Sequence, residues 1–327
     1  MSSLELAAGA ETHLLRDPAR LNIQNILCPV DFSVFSLRAL KYAASMARHF
    51  GARLFVQHTI FTPPEVYLAD IDEAATRESL EAELRRAGVE GRSPTGPVGS
   101  DMPEIRLLVT GGSVVKHILE SIEKNQVDLV VMGTHGRRGF SRVLLGSVAE
   151  SIVHQATCPV LVISHPEKGF FSESAPEPIH LETIIAATDF SPNSGLALAH
   201  ALKWASEWRA KLILFHAVEN LPPGTEGRVD LFPEYNPFFE KQIVEAWDHL
   251  KDAVPADARS RCEVSFEVCH GPAKEQILQL ARQKTADLIV MGSRGLGLTE
   301  TNWGSTISSV VRNGRYPVLA IRHPDES

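Results

Sequence analysis

The chain has 327 residues, about twice the size of a typical domain of roughly 150 residues, so two domains are expected. Apolar residues make up 44% of the chain and charged residues 22%, which excludes disordered, collagenous and fibrous proteins. The formal net charge of −8 excludes a general cationic surface for nucleic acid or anionic lipid, so neither is expected as a partner.

The N-terminus and the cysteines point to the compartment. Residues 1–21 lack a signal-peptide core and are predicted to form a flexible tail, and no later apolar run approaches the ~18 residues of a membrane helix. The four cysteines (Cys28, Cys158, Cys262 and Cys269) lack the CxxC spacing of zinc sites. We therefore predict buried reduced thiols, a cytoplasmic protein and no membrane contact.

The chain contains one sequence unit twice. Residues 25–33 (NILCPVDFS) recur as residues 183–191 (TIIAATDFS), an offset of 158, and DLVVMG at 128–133 recurs as DLIVMG at 287–292. Each unit is large enough to bury a core, so the repeat indicates a domain duplication and not a solenoid. The predicted domains span 22–165 and 182–324, with a Pro- and Ser-bearing linker at 166–181.

Short apolar runs alternate with helical stretches in each unit. The runs are too short for helices and lack strict polar alternation, so they predict buried parallel strands. They span 26–30, 54–58, 105–109, 129–132 and 160–163 in the first unit, and 184–188, 212–216, 264–268, 288–291 and 318–321 in the second. Helices are predicted at 33–50, 114–124 and 147–155, and lid-like insertions at 91–101 and 221–237. This alternation predicts two tandem doubly wound α/β domains, each with a five-stranded parallel sheet.

The loop after the fourth strand has the composition of a phosphate site. The strand ends in Gly133-Thr134-His135-Gly136, and nine residues later Gly146-Ser147 opens a helix. Glycine allows positive φ and lets backbone amides approach a phosphate, while a helix N-terminus presents free N–H groups. Arg137, Arg138 and Arg142 between the two clusters supply the positive charge that an oligophosphate requires.

Each part of this loop also has a purely structural interpretation. Gly133 fits a plain strand-to-loop turn, Ser147 with Glu150 fits a helix capping box, and the arginines fit a solvated loop. The constellation recurs 158 to 159 residues later, at the mouth of the corresponding strand, and this recurrence favours phosphate binding.

These residues resemble the universal stress protein family over about 25–165 and 183–323, and the first unit matches the family's adenine-nucleotide signature G-x2-G-x9-G-(S/T). The resemblance implies a Rossmann-like, adenine nucleotide alpha hydrolase-like fold that binds ATP or another adenine nucleotide, accompanied by Mg²⁺ or Mn²⁺. It implies adenosine contacts at Pro29, Asp31, Thr59 and Met132, and ribose and phosphate contacts at Gly133, His135, Gly136, Arg137, Gly146, Ser147 and Val148. The counterparts in the second unit are Asp189, Ala217, Met291, Gly292, Arg294, Gly295, Gly304 and Ser305.

Two features qualify this assignment. Asp31 also fits an Asx turn ahead of Ser33, and Thr59 stands where the family more often has an aliphatic residue. In the second unit only eight residues separate Gly295 from Gly304; Leu296 stands in place of Arg137-Arg138, and Glu300 stands in place of Arg142. A weaker nucleotide site is therefore predicted there.

The sequence contains no GxSxG, HExxH or GxxxxGK(S/T) motif, so no catalytic residue is assigned. His58 and His216 end the second strands and are predicted to be packed and hydrogen-bonded. The expected function is a non-enzymatic, ATP-binding stress-response or signalling module with a protein partner that the sequence does not identify. The alternatives are an adenylating or slowly ATP-hydrolysing enzyme of the alpha hydrolase type, and a nucleotide-free scaffold. The resemblance also implies pairing of the fifth strands, 160–163 with 318–321, inside the chain, and a homodimer.

Overall fold

The computed structural model of the chain describes residues 21–60, 72–91, 102–134, 146–164, 179–219, 237–294 and 305–322. They form two compact units. The first comprises the described residues up to His180 together with those from Val311 onward, and the second runs from Leu181 to Val310. The predicted tail, linker and both predicted lids lie almost entirely outside the described residues.

The first unit is a doubly wound sheet, as the alternating pattern predicted. Its strands are β1 (Asn25–Pro29), β2 (Arg53–Ile60), β3 (Ile105–Gly111), β4 (Leu129–Gly133) and β5 (Val160–Ile163), and its helices are α1 (Val34–Phe50), α2 (Glu73–Ala87), α3 (Val114–Lys124) and α4 (Ser147–Gln155). The strand order is β3-β2-β1-β4-β5, with every one of these pairs parallel. Because crossovers are right-handed, α1 and α2 cover one face of this sheet and α3 and α4 the other.

The second unit repeats this arrangement. The chain continues through β6 (Thr183–Ala187), α5 (Pro192–Trp208), β7 (Lys211–Val218), α6 (Pro237–Ala253), β8 (Val264–His270), α7 (Ala273–Gln283), β9 (Leu288–Gly292) and α8 (Ser305–Asn313). Strands β9, β6, β7 and β8 are neighbours in that order and pair in parallel. The duplication read from the sequence is therefore a duplication of topology.

The last strand, β10 (Val318–Ile321), belongs to the first compact unit. It pairs with β5 in antiparallel orientation, with Leu319 opposite Leu161, and all residues of both strands are buried. The two fifth strands thus pair within the chain, as predicted, and this pairing covers an apolar β5 edge that would otherwise invite association.

A repeated aspartate clamp fixes the start of the first strand in each unit. Oδ2 of Asp128 accepts hydrogen bonds from the backbone N–H groups of Gln24 and Asn25, at 2.8 and 2.9 Å. Oδ2 of Asp287 accepts the equivalent two bonds from Glu182 and Thr183, again at 2.8 and 2.9 Å. The acidic residue before each fourth strand therefore has a structural role. The repeated D-L-x-V-M-G sequence does not by itself indicate this role.

Two helices were not predicted because their sequences bury little. In α2, which reads EAATRESLEAELRRA, only Leu80, Glu83 and Ala87 are buried, so the apolar periodicity is weak. Its start is nevertheless marked by Asp72, whose side chain accepts a hydrogen bond from the N–H of Ala75. Helix α6 likewise buries few side chains, among them Ala246 and Leu250.

The four cysteines are free thiols, and three are buried, as predicted; Cys269 is half-buried. Burial raises the pKa of Cys28 far above its ordinary value, and burial with the nearby charge of Asp128 raises the pKa of Cys158 to about 12. These thiols therefore stay protonated and unreactive at neutral pH. None of the helices in the described part of the chain combines the length and the apolar composition that a membrane span needs.

A buried histidine in α5 makes stability depend on pH. His200 is 8% exposed, and its pKa falls from 6.5 to about 4 because burial disfavours the imidazolium and the charge of Lys203 opposes it. The unfolded chain takes up this proton near pH 6.5 and the folded chain only near pH 4, so the contribution is complete above 6.5 and is lost as the pH falls toward 4. At ~1.4 kcal/mol per pKa unit, the loss is at most about 3.5 kcal/mol.

The matched variant is His200→Tyr, because the first unit has a buried tyrosine, Tyr42, at the equivalent position. We expect urea unfolding to show that the wild type loses more stability than this variant between pH 7 and pH 4.5. Equal losses in the two proteins would contradict the assignment to His200.

Candidate functional site

The predicted site residues converge on the carboxyl edge of the sheet in the first unit. Strand β1 pairs with β2 on one side and β4 on the other, and the crossovers that follow β1 and β4 leave to opposite faces of the sheet. This is a topological switch point, where open α/β sheets form their ligand crevice. Pro29, Met132 and Gly133 end the two strands that flank it, and Thr59 lies near the end of β2.

Asp31 forms the turn that the structural interpretation required. Its Oδ1 accepts a hydrogen bond from the N–H of Ser33 at 3.1 Å, and Ser33 caps α1 in a capping box with Ser36. Asp189 accepts the same bond from Ser191, also at 3.1 Å. The Asx turn is therefore present in both units, and the adenosine contact of Asp31 stays a prediction.

The residue after each aspartate is a phenylalanine in the left-handed region. Phe32 and Phe190 both have φ of 63°, which is strained for a bulky side chain. A histidine supports each: the ring centroids of Phe32 and His58 are 4.6 Å apart, and those of Phe190 and His216 are 4.5 Å apart.

The same histidines also hold the backbone before the aspartate. Nδ1 of His58 lies 2.7 Å from the carbonyl oxygen of Val30, and Nδ1 of His216 lies 2.8 Å from that of Thr188. A carbonyl only accepts, so each Nδ1 carries the proton. The prediction that these histidines are packed and hydrogen-bonded is confirmed.

The glycines that end β4 and β9 serve packing. Neither Gly133 nor Gly292 has a positive φ, so Gly133 does not use the conformational freedom for which the sequence analysis singled it out. A Cβ on Gly133 would lie 2.8 Å from the carbonyl carbon of Phe35, and one on Gly292 would lie 3.0 Å from Cβ of Asn193. In each unit the first helix lies close to the end of the fourth strand, and this close approach explains the glycine there.

The start of α4 differs from the predicted capping box. The N-cap is Gly146, whose N–H donates to the carbonyl of Thr134 at 2.7 Å, so Ser147 is already the first helical residue. Because Gly146 is the N-cap, Ser147 with Glu150 does not form the box, and no side chain of the described residues caps this end. Within the described part of the chain the first-turn N–H groups have no side-chain cap, and an anionic oxygen can accept hydrogen bonds from such groups.

The structure places the remaining predicted residues as follows. Val148 lies in the first turn of α4, Asp189 follows β6, Ala217 lies near the end of β7, and Met291 and Gly292 end β9. Arg294 follows β9, and Ser305 begins α8. His135, Gly136, Arg137, Gly295 and Gly304 lie outside the described residues, as do Arg138 and Arg142.

A polar row on β2 and β3 was missed by the sequence analysis. Oγ1 of Thr59 lies 2.9 Å from Oγ1 of Thr110, its register partner on β3, and Nε2 of Gln57 donates to Thr59 at 3.4 Å. Gln57 is only 1% exposed. A lone Thr59 could be recognised in the sequence, but its neighbour 51 residues away could not, since lateral register has no local signal.

Other binding features are sparse among the residues that the structure describes. No group of His, Cys, Asp and Glu side chains there could hold a metal ion. A cavity of about 980 Å³ opens at the opposite, amino edge of the first unit's sheet. Its rim includes the ion pair of Arg53 with Glu104, at 3.2 Å, and the second unit repeats this pair as Lys211 with Glu263, at 2.8 Å. The pair therefore belongs to the repeated framework of the fold.

Comparison with known sequences gives one family. The model of the universal stress protein family matches residues 22–164 and 180–322. A universal stress protein of Methanocaldococcus jannaschii is 34% identical over 146 residues, which are 44% of this chain and 84% of that protein. A universal stress protein of Mycobacterium tuberculosis is 33% identical over 203 residues, which are 61% of this chain and 63% of that protein.

Solved structures share this fold. A protein from Pseudomonas aeruginosa aligns with a TM-score of 0.61 at 17% identity, covering 93% of this chain and 95% of that chain. A universal stress protein from Archaeoglobus fulgidus aligns with a TM-score of 0.59 at 22% identity, covering 93% and 97%. At these identities the likeness concerns the fold.

Proposed function

This chain belongs to the universal stress protein family, and on that premise we propose that it is a non-enzymatic, ATP-binding module of a stress response or signalling process. The first unit is the principal nucleotide site. Occupancy by ATP changes the surface that the chain offers to a protein partner, so the nucleotide acts as a signal and not as a substrate.

The start of α4 is the observation that carries this proposal. It lies at the switch point, it begins at the G-S that completes the G-x2-G-x9-G-S sequence, and no side chain of the described residues caps its first turn. A phosphate at this end would accept hydrogen bonds from the N–H groups of the first turn and would be stabilised by the helix dipole. The three arginines of the loop add charge of the required sign.

The base side of the site is supported by the neighbouring strands. Pro29 and Thr59 lie near the ends of β1 and β2, and Asp31 is held between a capped helix and a histidine-supported phenylalanine. A rigid carboxylate at a strand end can recognise polar groups of a nucleoside without a large loss of side-chain entropy.

The proposal that the chain is not an enzyme rests on the catalytic motifs that its sequence lacks. The sequence has no Walker lysine and no recognisable nucleophile motif, so ATP hydrolysis would lack the usual positioning groups. Adenylation would release pyrophosphate when the substrate is added. An assay for substrate-stimulated pyrophosphate release therefore separates this proposal from an adenylating enzyme.

The direct test is ATP binding. We expect isothermal calorimetry on nucleotide-free protein to give a dissociation constant in the micromolar range or tighter with Mg-ATP, corresponding to about 8 kcal/mol or more. Chromatography of an acid extract of the freshly purified protein shows whether adenine nucleotide co-purifies. No heat and no thermal shift at millimolar Mg-ATP would reject the proposal.

Variants of Asp31 test the adenosine contact separately from the turn. Asp31→Asn keeps an oxygen that can accept the bond from Ser33, whereas Asp31→Ala removes it. We expect both variants to weaken ATP binding more than binding of inorganic triphosphate, because the phosphates are held elsewhere. Only Asp31→Ala should also lower thermal stability, through loss of the turn.

The comparison between ligands decides the role of Asp31. If ATP and inorganic triphosphate lose affinity equally, the aspartate acts only as a turn residue. If Asp31→Asn binds ATP as the wild type does, the negative charge has no part in recognising adenosine.

A further inference from the structure

We propose that the outer edge of β3 in the first unit pairs, in antiparallel orientation, with the β3 strand of a second copy of this chain. Strand β3 ends the strand order of its unit, and among the described residues it pairs only with β2. Strand β5, at the other end of that order, already pairs with β10 within the chain. The inference goes beyond the proposed function, because strand pairing does not require a bound nucleotide.

The ladder between β2 and β3 determines which backbone groups of β3 face outward. The N–H of Leu54 donates to the carbonyl of Glu104 at 2.8 Å, and the N–H of Gly112 donates to the carbonyl of Ile60 at 2.9 Å. In a parallel pair, alternate residues direct both backbone groups toward the neighbouring strand, so the even-numbered residues of β3 bond to β2. The odd-numbered residues direct theirs outward, and they are Ile105, Leu107, Val109 and Gly111.

The outward edge of β3 has little of the protection that edge strands usually have. No other described residue bonds to the backbone groups of these four outward residues. Proteins usually protect such an edge by charge, by proline or by short length, whereas β3 has seven residues, no proline and one charged side chain, Arg106. Its apolar side chains are half-buried, whereas all residues of the paired strands β5 and β10 are buried. Pairing with a further strand would cover this apolar surface.

One antiparallel register satisfies all outward backbone groups of two identical β3 strands. In that register Leu107 lies opposite Val109 of the second copy, and Ile105 lies opposite Gly111. Each outward residue then exchanges two hydrogen bonds with the residue opposite. The two-fold axis passes beside Leu108, which lies opposite its own counterpart.

The side chains also match in this register. Leu108 meets Leu108 in a pair without hydrogen bonds between its backbones, where opposite side chains come closest. Arg106 lies opposite Thr110, so no like charges face each other. The guanidinium of Arg106 also donates to Glu104 at 2.7 Å within its own chain, so its charge is already balanced. The edge of β3 is therefore complementary to itself.

The corresponding edge strand of the second unit carries a charge that opposes the same pairing. Glu267 of β8 stands at the position of Leu108, so two carboxylates would face each other in the equivalent register. Like charges directly opposite are destabilising. Glu267 is paired with Lys284 at 2.7 Å, whereas the first unit has Asn125 at the position of Lys284. The charged edge of β8 therefore serves as an internal comparison for β3.

The extent of the surface predicts a reversible dimer. Seven residues of β3 are far fewer than the roughly 20–30 residues a side of a standard stable interface. Edge pairing therefore gives a weak contact, and we expect the full chain to pass from monomer to dimer across the micromolar concentration range. Sedimentation equilibrium at several protein concentrations measures this transition.

Proline variants at matched positions test which edge pairs. Val109→Pro removes an outward N–H without breaking a bond to β2, and proline is tolerated at such edge positions. We expect the dimer to be weaker by about tenfold or more. Val268→Pro makes the same change at the equivalent outward position of β8 and should leave the dimer unchanged. The urea midpoint of each variant checks that it is folded.

A pair of charged variants tests the register without relying on proline. Leu108→Glu and Leu108→Lys each place like charges opposite each other at the two-fold axis, so we expect neither variant alone to dimerise where the wild type does. A mixture of the two places opposite charges there and should form a heterodimer, which an affinity tag on one variant identifies. Glutamate at the matching position of β8 shows that this fold accepts a charge on an edge strand.

Three results would overturn the inference. A wild type that remains monomeric throughout the micromolar range rejects it, and the edge would then be open to an extended segment of another protein. An equal loss in Val109→Pro and Val268→Pro would assign the dimer to another surface or to a change in the fold. A dimer that both Leu108 variants retain, or that their mixture does not restore, would reject the register and with it the pairing of β3.

Discussion

Gly146→Val is expected to remove tight ATP binding from the chain, whereas Gly304→Val is expected to leave it in place. Gly146 caps α4 with φ of −63° and ψ of 134°, a conformation that valine adopts readily, so the variant should fold. The new side chain would stand where a phosphate is expected to approach the backbone. The effect therefore falls on binding and not on stability.

The expected asymmetry has an electrostatic cause. The first-unit loop carries Arg137, Arg138 and Arg142, whereas the second-unit loop has Leu296 and Glu300 at the matching positions. Each charge-assisted hydrogen bond is typically worth about 1.5–3 kcal/mol, so loss of one contact reduces affinity roughly tenfold or more. Replacement of a cation by Glu300 adds repulsion between the loop and a triphosphate.

Loop length adds to this difference. Eight residues separate Gly295 from Gly304, against nine between Gly136 and Gly146. A loop shorter by one residue changes how the following helix N-terminus meets the phosphates, since the direction of its free N–H groups determines the hydrogen bonds. We therefore expect calorimetry of the wild type to give one tight site per chain.

The two glycine variants control for each other because each introduces the same side chain at an equivalent position. If Gly146→Val keeps tight binding and Gly304→Val abolishes it, the assignment of the units is reversed. Two indistinguishable sites per chain in the wild type would reject the asymmetry itself.

The strands could be predicted because parallel strands covered on both faces need apolar residues throughout. All ten predicted runs coincide with strands to within two residues at either end, and the 17-residue helix α1 follows Ser33 as its cap predicted. The repeat also predicts that the second unit has the same topology as the first. Helices α2 and α6 were not predicted because each faces solvent along most of its surface.

The site could be predicted only as far as its signals are local. The glycine and serine positions around the loop are a sequence pattern, but the reason for Gly133 is its contact with α1, which no pattern reveals. Phe32 has a left-handed backbone conformation, which aromatic residues ordinarily avoid. This conformation is supported by the ring of His58, 26 residues away. Thr110 joins the site only through the register of β2 with β3.

A series of three alanine variants should separate packing from conformation at the glycines. In Gly133→Ala the new Cβ would lie within 2.8 to 2.9 Å of the backbone carbon and oxygen of Phe35, which cannot move without shifting α1. We expect a loss of about 1–3 kcal/mol in the free energy of unfolding, as for other overpacked sites. The loss should be visible in urea titrations of the first unit's transition.

Gly292→Ala and Gly195→Ala complete the series. At Gly292 the nearest atoms are 3.0 to 3.1 Å away and belong to Asn193 and Arg294, so a smaller loss than at Gly133 is expected. Gly195 lies exposed in α5 with nothing within 4 Å of the added Cβ, and alanine there should stabilise the helix by about 0.5–1 kcal/mol. If Gly133→Ala is as stable as the wild type, α1 must be able to move away from β4, and the close approach is not what requires glycine at the edge of the site.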